Sequence, residues 1–150
     1  MTLSPPISIS SGPLPIHARP MPVHDLGVTV RAGFPSPAED LGAKRVDLTA
    51  QLIKHPQATF LLRASGDSMR EAGIFDGDVL VVDRAVRPQH GHYVVAVVDG
   101  EFVCKQLWMV GGRVSKLKAA NPTYPDIVPR NGQTVEVWGV VTHAITALLS

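Results

Sequence analysis

Valine-rich apolar runs recur along the last two-thirds of the chain: Thr59 to Ala64, Val79 to Asp83, Tyr93 to Val98, Glu101 to Val110, Arg113 to Ala119 and Val135 to Thr146. Asp76-Gly77, Asp99-Gly100, Gly111-Gly112 and Asn131-Gly132 punctuate them. β-Branched side chains suit a pleated, half-buried surface, and the glycine dipeptides supply the positive φ of tight turns, so the pattern predicts strands joined by turns. Asp99-Gly100 between two apolar runs predicts a hairpin. One helix is predicted, Leu48 to Lys54, capped by Asp47, with Leu48 and Leu52 on one face and Pro56 closing it. The predicted class is mainly β: a compact antiparallel or mixed body with one short helix behind an extended N-terminal arm. No fixed-period repeat is present.

The first 32 or so residues follow other rules. Pro5, Pro6, Pro13, Pro15, Pro20 and Pro22 alternate with Ser4, Ser8, Ser10, Ser11 and Gly12. Prolines at this density remove backbone donors and fix φ, so neither a helix nor a central strand propagates. The region reads as a mobile arm, with no room for a helix-turn-helix. Residues 1–45 are expected to form the arm and 46–150 the β-rich domain.

Fourteen Lys and Arg against thirteen Asp and Glu leave a net charge of +1 in 150 residues. No basic field favours direct DNA binding. A single cysteine, Cys104, excludes an internal disulfide and a multi-thiolate zinc site. No apolar stretch reaches the roughly 20 residues of a membrane helix, and no basic-then-apolar leader opens the chain, so a soluble cytoplasmic protein without cofactor is expected.

Chemistry enters at Ser68, in "ASGDSMREAGIFDGDVLVVD". A hydroxyl attacks well only when a neighbour takes its proton. His17, His24, His55, His90, His92 and His143 all stand in arm, turn, loop or strand-end contexts that need no catalysis, and His90-x-His92 lacks companions for a metal site. Lys105 in "GEFVCKQLW" is different. Alternation sets Val103, Lys105 and Leu107 on one strand face and Phe102, Cys104 and Gln106 on the other. A lysine buried on an apolar face loses charge readily and meets the requirement of a Ser-Lys dyad; an edge-strand lysine snorkelling to solvent fits the same local pattern. Cys104 reads as a small core residue. Met69 to Ala72 is expected to form one helical turn ended by Gly73, with Ser68 at its N-terminus, and Asp67 reads as a turn or capping residue.

Taken together, "SGDSM", "GIFDGDVLVVD", "VVAVVDGEFVCKQL" and "WGVVTHAI" resemble the self-cleaving core shared by LexA-type repressors and the UmuD/MucA-like SOS mutagenesis proteins. "AGFPSPAED" resembles the cleavage segment of the latter and "DLTAQLIKHPQATFLLRASGDSM" their next stretch. The resemblance implies the β fold of the LexA and signal-peptidase type. It assigns Ser68 as nucleophile, Lys105 as general base, the backbone N–H groups of Asp67 and Ser68 as oxyanion hole, and Ala32-Gly33 as the scissile bond. It further implies a homodimer, stimulation by the RecA filament on single-stranded DNA, and service to a Y-family, UmuC-like DNA polymerase after trimming. A signal-peptidase-like processing protease and a non-catalytic β-rich interaction module are the competing classes. A transcriptional repressor would need DNA-binding helices that the proline-rich arm excludes.

Overall fold

A computed structural model describes residues 13–15, 22–25, 30 and 44–149. The chain divides into two compact units: residues 1–16 with 55–150, and residues 17–54.

In the second unit β2 (Pro22–Asp25) pairs antiparallel with β3 (Lys44–Asp47), from Pro22 opposite Asp47 to Asp25 opposite Lys44. The helix α1 (Leu48–Leu52) follows at once. Asp47 caps it as expected, its carboxylate accepting from the Thr49 N–H at 3.1 Å. The helix stops two residues short of Lys54, because β-branched Ile53 is already extended at φ −121°. Pro56 opens a separate 3-10 turn, Pro56–Ala58, instead of closing the helix.

In the first unit the predicted strands form, all antiparallel: β4 (Thr59–Arg63), β5 (Val79–Asp83), β6 (Tyr93–Val98), β7 (Glu101–Val110), β8 (Arg113–Lys118) and β9 (Val135–Ile145). With the two-residue β1 (Leu14–Pro15) they make one sheet in the order β1-β4-β5-β9-β6-β7-β8. Proline is tolerated in β1 because that strand lies at the sheet edge. Asp99 and Gly100 take φ of 48° and 81°, the paired positive values of the turn that joins β6 to β7.

Each face of the sheet buries its own core. Leu62, Leu80, Val82 and Val95 pack on one side with Met69, Ile74, Phe102, Cys104 and Trp138; Val94, Ala96, Leu107, Leu117 and Val140 pack on the other with Val103 and Val137. Successive residues Val94, Val95 and Ala96 therefore serve alternate cores, the two-residue period of a strand made visible. The long β9 joins the two halves of the sheet and shifts register against both neighbours, near Val81/Val82 and Val95/Ala96. Such bulges increase local twist. Among the described residues no helix is long and apolar enough to cross a membrane.

Candidate active site

Ser68 sits in the loop between β4 and β5, and that loop is tied down along its length. Ala64 donates to Asp78 and accepts from Gly77, each at 2.8 Å, so the loop leaves and rejoins the sheet across a closed neck. The Gly66 N–H donates to Asp76 Oδ1 at 2.8 Å, with Gly66 at φ 93°, a backbone state that glycine adopts without strain. Met69 is buried in the core beside Ile74 and anchors the loop from below. Asp78, also buried, accepts from the Phe75 N–H at 2.8 Å and the Thr146 hydroxyl at 2.6 Å. Asp76 and Asp78 are thus turn-forming carboxylates, as their sequence context suggests.

The expected helical turn is a 3-10 turn at Arg70–Ala72, preceded by Met69 and ended by Gly73 at φ 83°. Ser68 consequently lies outside it, not at its N-terminus. Burial of the Met69 side chain fixes where the turn begins. Among the described residues, no protein acceptor takes the N–H of Asp67 or of Ser68.

Lys105 approaches from β7. The strand pairs with β6 along Glu101 to Gln106 but with β8 only from Gln106 onward, so Lys105 stands where the second ladder has not yet begun; its amine nevertheless turns to Ser68 and is half-buried, not extended into solvent. Val94 stands opposite Lys105, while Val103 and Leu107 enter one core and Phe102 and Cys104 the other, as alternation requires. The Lys105 ammonium donates to Ser68 Oγ at 2.5 Å. The two residues, 37 positions apart in sequence, meet at a half-buried point. Desolvation holds Lys105 below the ordinary lysine value of 10.5, against weaker opposing pulls from Cys104 and Asp126. For Cys104, burial pushes the thiol up to about 11, with Lys105 opposing, so the sulfur stays protonated and inert at neutral pH.

The histidines serve other purposes. His55 Nδ1 contacts buried Asp83 at 2.6 Å, and His92 Nδ1 accepts from the Gln89 N–H at 3.1 Å. His90 Nδ1 accepts from Met109 N–H at 2.9 Å while its ring meets Trp108 edge-on. His143 Nδ1 lies 3.0 Å from Thr142 Oγ1. Among the described residues no group of three or more His, Cys, Asp or Glu could hold a metal. His17, Ala32 and Gly33 lie outside the described residues.

Sequence reasoning missed Ala120 and Asn121. The Ser68 carbonyl accepts from Ala120 N–H at 2.8 Å, and the Ala120 carbonyl accepts from Glu71 N–H at 2.8 Å. Asn121 Nδ2 donates to the Asp67 carbonyl at 2.9 Å. Nearby, Asp126 accepts from Ala119 N–H at 3.0 Å and pairs with Lys116 at 3.3 Å. "AANPTYPD" announces a turn through its prolines but carries no sign of which loop that turn will hold.

Residues 23–142 match the family described as Peptidase S24-like. The chain is 46% identical to Protein ImpA of Escherichia coli over 115 residues, 77% of each chain. It is 46% identical to Protein SamA of Salmonella typhimurium over 76% of this chain and 78% of the relative, and 42% identical to Protein MucA of Escherichia coli over 77% and 79%.

Proposed function

The chain belongs to the peptidase S24-like family, among the UmuD-like proteins of SOS mutagenesis, and on that premise we propose that it cuts its own arm at Ala32-Gly33 with Ser68 as nucleophile and Lys105 as base. The observation that carries this reading is the 2.5 Å approach of Lys105 Nζ to Ser68 Oγ. Neutral Lys105 accepts the hydroxyl proton as Oγ attacks the Ala32 carbonyl carbon. The oxyanion that forms takes hydrogen bonds from the N–H groups of Asp67 and Ser68. As the intermediate collapses, Lys105 returns the proton to the departing Gly33 nitrogen. Water then attacks the Ser68 ester, giving a proton to Lys105, which passes it to the departing Oγ; the Ala32 carboxyl and the Ser68 hydroxyl are freed and Lys105 is neutral again.

The segment around the bond suits the task. Gly33 permits close backbone approach, and Pro35 and Pro37 keep the following chain extended. Tethering raises the effective concentration of the bond, so a modest catalyst suffices without capturing substrate from solution. The functional division is an arm, residues 1–45, and a catalytic body, residues 46–150; it follows the chemistry and not the packing units. Control falls to conformation, through occupancy of the site by the arm, favoured by the RecA filament on single-stranded DNA. The trimmed homodimer then serves a Y-family, UmuC-like polymerase in synthesis across lesions.

Intact-mass measurement of the purified chain, with and without activated RecA filament, tests the reading. A product beginning at Gly33 is expected from the parent chain and from neither Ser68→Ala nor Lys105→Ala. Trimming of either variant in the absence of other proteases would overturn it.

A further inference from the structure

We infer that Asn121 is a positioning residue that aims the Ser68 N–H at the oxyanion, an inference that rests on the dyad reading above. The Asp67 carbonyl and the Ser68 N–H belong to one planar trans peptide group and point in opposite directions. Whatever grips the carbonyl therefore sets the direction of the N–H. Two donors grip it: Asn121 Nδ2 at 2.9 Å and the Arg70 N–H at 3.2 Å. The second belongs to the same loop and moves with it. Asn121 comes from the segment after β8 and so references the peptide to the body of the sheet.

The orientation of the Asn121 amide is itself determined. Its Oδ1 accepts from the Thr123 N–H at 3.1 Å and from the Thr123 hydroxyl at 2.8 Å. A backbone N–H can be met only by the oxygen, which leaves the nitrogen facing Asp67. Ala120 next door holds the Ser68 carbonyl at 2.8 Å and receives Glu71 N–H at 2.8 Å. Consecutive residues 120 and 121 thereby clamp the two carbonyls that flank the nucleophile. The clamp leaves the Asp67 and Ser68 N–H groups without protein acceptors among the described residues, as a site awaiting a developing negative charge requires.

The test pairs two variants. Asn121→Asp keeps the acceptor for Thr123 and exchanges the donor for a charged carboxylate oxygen, whereas Asn121→Ala removes both donor and acceptor without adding charge. Each should lower the alkaline plateau of the self-cleavage rate by about 10- to 100-fold, short of deleting an oxyanion donor outright. In Asn121→Ala the midpoint of the pH–rate curve should stay at the parent value, because Lys105 is untouched. A parent-like plateau in Asn121→Asp, or a fall in Asn121→Ala traceable to a moved midpoint, would overturn the inference. The Ser68 amide resonance of the parent and Asn121→Asp in a Ser68-retaining, pH-lowered sample supplies a readout independent of cleavage. A shifted or broadened signal supports the positioning role, and an unchanged one overturns it even if the parent never trims itself. Failure of the dyad reading shows separately, as trimming that survives Ser68→Ala.

Discussion

β2 and β3 are held by one ladder of four residue pairs, while the dyad is carried by a seven-stranded sheet with a packed core on each face. Both regions are antiparallel β, yet only one has the means to fix a side chain to a fraction of an ångström. A two-stranded ribbon is marginal on its own, since each residue pair adds little beyond the entropy lost in ordering it. Interior strands such as β6, which pairs with β7 on one side and β9 on the other, are constrained by two ladders and by side chains above and below. That difference fits the proposed reading, in which one region supplies the catalyst and another the bond to be cut.

The contrast should appear first in stability. Leu107→Ala, at a fully buried position, is expected to reduce unfolding free energy by about 2–5 kcal/mol, whereas Val23→Ala in the β2–β3 ribbon should reduce it by about 1 kcal/mol or less. Denaturant unfolding measures both, and equal losses would remove the distinction. A smaller loss, about 1–3 kcal/mol, is expected for Gly139→Ala. A Cβ there would stand 2.6 Å from Val82 Cγ1 and 3.3 Å from Arg84 Cγ. Val82 is fully buried and cannot withdraw, so a rise in Tm for this variant would contradict the close packing of β9 on β5.

The sheet was legible because its rules are local. Alternation sorted Val103 and Leu107 from Phe102 and Cys104, and Asp99-Gly100 and Gly111-Gly112 each announced a turn whose two residues take positive φ. The short β1 and β2 were not legible, since two to four residues among prolines are too few to establish a period. Nor could alternation bring Ser68 to Lys105. That meeting depends on where the β4–β5 loop lies against β7 and β8, which only the tertiary fold decides; resemblance to a family supplied it in advance. Asn121 escaped both routes, because a side chain gripping a distant carbonyl leaves no trace in hydrophobic pattern.

The finest contrast lies within the site. Asp126 opposes the desolvation of Lys105, so Asp126→Asn should lower the lysine pKa further and move the pH–rate midpoint of self-cleavage toward lower pH. The asparagine can still accept from Ala119 N–H, and the partly exposed ion pair to Lys116 is worth about 1 kcal/mol at most, so the fold and the alkaline plateau should change little. A midpoint moved toward higher pH would contradict the sign. Lys105→Met, which removes the desolvated cation, should abolish cleavage. The sign for stability follows from a folded-state pKa below the unfolded value. Below the folded pKa the buried charge opposes folding, and this penalty is relieved as pH rises toward 10.5. The variant should therefore match or exceed the parent in Tm at neutral pH, by a margin that shrinks toward alkaline pH.

Everything in the site turns on the half-buried Lys105 amine surrendering its proton more easily than an ordinary lysine. Titration of the Lys105 side chain by NMR, with 13C at Cε and in Ser68→Ala so that the chain stays whole, measures this directly. A midpoint clearly below 10.5 is expected. A midpoint at or above that value would leave Ser68 without its base and would contradict the account.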